Sequence, residues 1–310
     1  ESMSWARHIL VQASESQWLR DRAPRFGFIR RASSRFLPGE DVDSAIAAAR
    51  RLASNGISSL LTHLGENVRD RAEAEAVTQQ YLDLLDRIRS EALSAEISVK
   101  LTQLGLDLDR GLCYANILKL LDYSAGRTVW IDMEQSPYVD ATLELHARAH
   151  KTHPYVGICV QAYLYRTAKD VESLISAGAP IRLVKGAYSE PREIAYPKKA
   201  EVDDNYFRLA QELLSPDARL AGVRAVIATH DAKLIARIAD WAAREGIAKN
   251  QLEFAMLYGI QRAEQLRLAR EGYRSDVLIS YGSFWFPWFM RRLAERPANV
   301  FFVVRNLFSH

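Results

Sequence analysis

Polar and charged side chains recur where apolar runs of this sequence end. Glu66 follows ISSLLTHLG, Lys100 closes ISVK, and Asp132 and Glu134 sit in WIDME. Gln161 lies in GICVQAY, and Arg182, Lys185 and Tyr188 lie in IRLVKGAY. Thr229 and His230 end VIATH, and Leu257, Tyr258 and Gly259 end EFAMLYG. A buried charge left unpaired costs several kcal/mol. Charges in several apolar runs therefore mean either a paired structural network or a functional site. The cationic excess of Lys100, Arg182 and Lys185 favours an anionic ligand. A second basic pair, Arg291 and Arg292 in FMRRLAERPAN, has Glu295 one helical turn on. Adjacent helix positions point about 100° apart, so this pair suits two anions or two ends of one ligand. Guanidinium forks match carboxylates and phosphates; a solvated pair on an amphipathic helix is the plainer alternative. Trp285, Phe286, Trp288 and Phe289 beside it read as core or as a capping lid.

Other chemistries find less support. His146, His150 and His153 form HARAHKTH, but Ala147 stands where a zinc-binding HExxH would need Glu. These histidines are expected on the solvated face of a helix, and no metal is expected. No GxSxG nucleophile turn occurs. Lys100 or Lys185 is compatible with a Schiff-base amine, and spacing alone does not separate that role from anion binding. Cys113 and Cys159 are 46 residues apart with no CxxC. That pattern argues against a disulfide framework or zinc cluster and fits a reducing compartment.

The elements that must position these residues follow from hydrophobic period. Apolar, β-rich runs occur at 57–66, 97–105, 128–135, 156–163, 181–188, 224–230, 252–259 and 276–282. Such runs read as strands buried on both faces. Between them, segments such as AKLIARIADWAAREG carry apolar residues at helical spacing. Eight strand–helix repeats predict an α/β fold, a (βα)8 TIM-type barrel, with chemistry at the carboxyl ends of its strands. A doubly wound sheet also alternates strand and helix, but no GxGxxG or GxxxxGK[ST] is present. Residues 1–56 are expected to form helices before the first strand, and 57–310 the catalytic barrel. The chain has 310 residues, 48% of them hydrophobic, and a formal charge of +3 spread along its length. Nucleic acid is therefore not an expected partner. No secretory h-region and no bilayer-length apolar run is apparent.

The motifs SVKLTQLG, IDME, VQAYLYR, RLVKGAY, ATHD, EFAMLYG and YGSFW…RRLAERPAN, in that order, resemble the flavin-dependent proline dehydrogenase family. The match runs from about residue 57 to 305 and looks like a monofunctional member. The resemblance implies a (βα)8 barrel holding FAD that oxidises L-proline to Δ1-pyrroline-5-carboxylate. Hydride passes to flavin N5 and electrons then go to a membrane quinone. It also implies a cytoplasmic protein, peripheral at the inner face of the membrane. Carried over motif by motif, Lys100, Arg291 and Arg292 hold the substrate carboxylate, and Glu295 pairs with the arginine and lysine side. Asp132 and Tyr188 belong to the substrate pocket, and Leu257 contacts the ring. Gln161, Arg182, Lys185, Thr229 and His230 bind the cofactor, with Arg182 near N5. Two positions depart from the pattern. Leu278 stands where many members have a ring-packing tyrosine, which opens the alternative of a hydroxyproline-like substrate. Ser189 replaces a tryptophan seen in some members at the adenine side. Readings from other classes are a lysine-dependent barrel lyase and an amino-acid-binding sensor.

Overall fold

Eight apolar runs become eight parallel strands. The structure is a computed structural model that describes residues 33–65, 68–286 and 289. Helix α1 (Val42–Ala53) leads into β1 (Ser58–His63), α2 (Arg71–Ser90) and β2 (Ala95–Val99). Next come α3 (Arg110–Tyr123), β3 (Val129–Ile131), α4 (Val139–His150) and β4 (Val156–Gln161). They are followed by α5 (Thr167–Ser176), β5 (Ile181–Val184), α6 (Lys199–Leu213), α7 (Pro216–Leu220) and β6 (Ala225–Ala228). The described chain then gives α8 (Ala232–Arg244), β7 (Glu253–Leu257), α9 (Arg262–Arg270) and β8 (Arg274–Tyr281). Each strand pairs with the next, and β8 pairs with β1 to close the barrel predicted from the sequence.

Side chains alternate between the lumen and the helical layer along each strand. Leu60, Trp130, Val226 and Ala255 pack together in the lumen, with Ala228 and Leu278 against them. Leu61, Ile97, Ile131 and Ile279 pack outward in one cluster with α1, α2 and α3. Burial on both faces explains the continuous apolar runs. Several helices begin on an aspartate whose carboxylate accepts an early backbone N–H: Asp41 from Ser44, Asp70 from Glu73 and Asp109 from Leu112. Those caps satisfy donors that a helix start leaves without intrahelical partners.

Several strands are shorter than or offset from the predicted runs, β2 covering Ala95–Val99 where the sequence predicts 97–105 and β3 ending at Ile131; β5 and β8 show the physical reasons. β5 stops at Val184, so Lys185 to Tyr188 form a loop. Gly186 adopts φ +116° there, and a Cβ on it would lie 2.4 Å from the Tyr163 ring. β8 starts at Arg274, ahead of its apolar run, because Asp276 is buried in a charged floor. Arg224 donates to Glu96 at 2.6 Å and Thr128 at 2.9 Å, and grips Glu253 through Nε and Nη2 at 3.0 and 2.5 Å. Arg274 reaches Glu253 at 3.1 Å. A paired network thus exists at the amino-terminal floor, built from residues other than those closing the runs. Burial, and then the Glu253 carboxylate beside it, push the Asp276 carboxyl well above the usual range.

The expectation that His146 lies on a solvated face is corrected. It is buried, with Nε2 3.2 Å from the Val156 carbonyl and its ring stacked on His150 at 5.5 Å. Trp285, Phe286 and Phe289 are buried, and Trp285 Nε1 donates to Glu40 at 3.0 Å; these three are core, while Trp288 lies outside the described residues. Among the described residues no helix is long and apolar enough to cross a membrane.

Candidate active site

At the carboxyl end of the barrel the lumen changes from apolar to polar. Arg182, in the middle of β5, is buried against four neighbours. Its Nε donates to Cys159 Sγ at 3.0 Å, and its Nη2 donates to Ser98 Oγ at 2.9 Å and to the Asp132 carboxylate. Ser98 Oγ in turn donates to Asp132 Oδ1 at 2.8 Å. The guanidinium carbon lies 5.3 Å from the centre of the Trp130 ring. Nη1 is buried and has no hydrogen-bond partner among the described residues. Trp130 is packed beneath it because Gly157, its partner across β3 and β4, leaves room: a Cβ there would lie 2.5 Å from the indole.

Gln161 ends β4, where its Nε2 donates to the carbonyls of Met133 at 3.2 Å and Glu134 at 3.3 Å. Its Oε1 is buried without a partner among the described residues. Lys100 follows β2 directly and opens the 3-10 turn Leu101–Leu104. Glu134 fixes that turn, its carboxylate accepting from Thr102 N–H at 3.2 Å and Thr102 Oγ1 at 2.7 Å. Tyr188 lies half-buried in the loop after β5. Glu190 ties that loop to the one after β3, accepting from Ser136 N–H at 2.8 Å and Ser136 Oγ at 2.7 Å.

Lys185 donates to Asp203 at 2.5 Å and Asp231 at 3.0 Å, and Lys199 contacts both carboxylates. Burial alone would raise the Asp231 carboxyl; the two lysines reverse this and hold it at about 2. Thr229 is buried just past β6 and accepts from Asp231 N–H at 3.2 Å. His230 Nε2 accepts from the Leu257 N–H at 2.9 Å. Leu257 and Leu278 are register partners on β7 and β8. Arg291, Arg292 and Glu295 lie outside the described residues, as does Glu66.

The sequence reading did not single out Ser98, Trp130 and Cys159. A signal was present: each stands two positions before a residue it did name, Lys100, Asp132 and Gln161. Strand period places both members of such a pair on one face. The residues fit a flavin. An isoalloxazine presents ring acceptors and an N–H donor along its polar edge. The orphaned Arg182 N–H and Gln161 Oε1, from adjacent strands, offer the complementary donor and acceptor.

Comparison with known proteins gives the family. The family model described as Proline dehydrogenase matches residues 45–305. Proline dehydrogenase 2 of Bacillus subtilis subsp. natto is 38% identical over 303 residues, covering 97% of this chain and 98% of its own. Proline dehydrogenase of Deinococcus radiodurans is 38% identical over 284 residues, 89% of each chain. Among solved structures, proline utilization A from Bdellovibrio bacteriovorus, inactivated by N-propargylglycine, superposes with a TM-score of 0.80 at 26% identity. That match covers 87% of this chain and 33% of the other.

Proposed function

The chain belongs to the proline dehydrogenase family, and we propose that it oxidises L-proline to Δ1-pyrroline-5-carboxylate, with hydride passing to FAD and electrons to a membrane quinone. The observation that carries the reading is the Arg182 cage: a buried guanidinium held by Cys159, Ser98 and Asp132, with one nitrogen, Nη1, uncommitted among the described residues. FAD, when bound, supplies the two-electron acceptor at N5.

The chain's own residues do the rest. Lys100, with Arg291 and Arg292, holds the substrate carboxylate, and Glu295 pairs with that cationic side. Three cations around one carboxylate offset the cost of taking it out of water. Leu257 and Leu278 present an aliphatic wall to the pyrrolidine ring and exclude water from the reacting carbon. Tyr188 completes the pocket. Asp132 and Ser98 hold Arg182 in place, so its charge is fixed before negative charge develops on the cofactor. Gln161, Thr229, His230 and Lys185 bind the remainder of FAD. The quinone is met at the membrane surface by a cytoplasmic, peripheral protein.

A ring-substituted proline is the second reading. Leu278 favours it, because a leucine in the lumen beside Leu257 leaves more space than a tyrosine. A Schiff-base lyase using Lys185 is disfavoured, since its Nζ is committed to the Asp203 and Asp231 carboxylates. The test is turnover by the FAD-loaded protein of L-proline, D-proline, both 4-hydroxyprolines and pipecolate with an artificial acceptor. Turnover of L-proline or of one hydroxyproline is expected. FAD retention with no turnover of any of them would overturn the reading.

A further inference from the structure

A guanidinium presents its N–H groups in a rigid planar fork. Two of its nitrogens must be anchored to fix where the third points. In Arg182, Nη2 is anchored by Asp132 and Ser98, and Nε by the sulfur of Cys159 at 3.0 Å. The guanidinium carbon lies 5.3 Å from the centre of the Trp130 ring, a cation–π distance that does not itself fix the direction of Nη1. Without the Nε contact, the fork can pivot about the Asp132 pair and carry Nη1 away from its present direction. Cys159 is well placed to prevent this, because it is the register partner of Arg182 across β4 and β5. Its thiol is buried, and burial pushes its pKa up while the Arg182 charge only partly offsets that. The sulfur is therefore a neutral, weak acceptor and not a reactive thiolate.

We infer that Cys159 is a positioning residue: its sulfur fixes the in-plane orientation of Arg182, aims Nη1–H at the flavin, and thereby sets the flavin's reduction potential. The inference rests on the FAD reading above. A cation aimed at the site where reduction places negative charge favours the reduced form. Loss of aim lowers the potential by less than loss of the cation.

The experiment measures the midpoint potential of the FAD-loaded protein and its Cys159→Val, Cys159→Ala, Cys159→Ser and Arg182→Met variants, with thermal melts of each. Arg182→Met should lower the potential most. Cys159→Val and Cys159→Ala should each shift the oxidised–reduced equilibrium roughly tenfold towards oxidised, a fall of ~30 mV for a two-electron couple. Cys159→Ser keeps an acceptor and should stay within about threefold of wild type. If Arg182→Met shifts the potential while Cys159→Val and Cys159→Ala do not, the inference fails and the FAD reading stands, whatever their melting temperatures. If Arg182→Met also leaves the potential unchanged, the inference fails together with the placing of Arg182 at the flavin, while the FAD reading is judged by its own turnover test.

Discussion

Leu278 and Leu257 are register partners on β8 and β7, and in the proposed function they form one aliphatic wall of the substrate pocket. A tyrosine at 278 would fill that space and add a hydroxyl, and a single contact of that size discriminates by about 1–3 kcal/mol. Leu278→Tyr is therefore expected to raise the preference for L-proline over trans-4-hydroxyproline roughly tenfold, read as the ratio of kcat/KM values. An unchanged ratio would take Leu278 out of the substrate wall. In the proposed function Lys100 binds the substrate carboxylate. Removing one partner of a desolvated charge pair costs on the order of 2–5 kcal/mol. Lys100→Met should accordingly raise the apparent KM for proline at least 30-fold (roughly, by that estimate) while FAD content stays at the wild-type level. A normal KM would contradict the clamp. Residues of this kind were legible in the sequence because a charge ending an apolar run is conspicuous. Ser98, Trp130 and Cys159 were not, since each is at home in an apolar strand. The tie from Lys185 to Asp203 and Asp231 was hidden too: its partners come from separate elements, 18 and 46 residues downstream.

Strands were the most legible elements. Each is sheathed on both faces, so its composition alone marks it, and all eight fall within or beside the predicted runs. Helix faces were less so, and α4 shows why. Its histidines look like a solvated stripe at helical spacing, yet His146 is packed against β4, where its Nε2 meets the Val156 carbonyl. That carbonyl belongs to a different element, so nothing local announces it. Burial drives the His146 pKa from 6.5 down to about 4. The folded state thus resists protonation that the unfolded chain accepts below 6.5. Its stabilising contribution is complete above that pH and is lost as pH falls towards about 4. Integrated over the window, the loss is about 3 kcal/mol. His146→Asn should flatten this part of the stability profile, so denaturation midpoints of wild type and variant should converge between pH 7 and pH 4.5. Parallel profiles would show that His146 is not buried as described.

Inside the barrel, buried charge lies at the two ends of the lumen, with Trp130 between them. Arg182 lies 5.3 Å from its ring on the mouth side and Arg224 lies 5.4 Å from it on the floor side. The mouth set offers an uncommitted donor, whereas in the floor set Arg224 and Arg274 are occupied by Glu96 and Glu253. Barrel closure and strand order could be read from the sequence; the floor could not, because Glu96, Arg224 and Asp276 lie in or just before the amino-terminal parts of their strands, where charged residues look like loop. Asp276 gives the floor a pH signature. Its carboxyl pKa is raised in the folded state, so the folded protein holds that proton more tightly and wild type loses stability as pH rises above 3.8. Asp276→Asn mimics the protonated form, and its stability relative to wild type should increase with pH in urea titrations run at pH 5, 7 and 9. A constant difference would contradict the raised Asp276 carboxyl. The function itself meets its most direct test in anaerobic mixing of the FAD-loaded protein with L-proline, followed by visible absorbance. Bleaching of the flavin by L-proline, and not by D-proline, is the predicted result. A flavin that stays oxidised with L-proline and with both 4-hydroxyprolines would contradict the account.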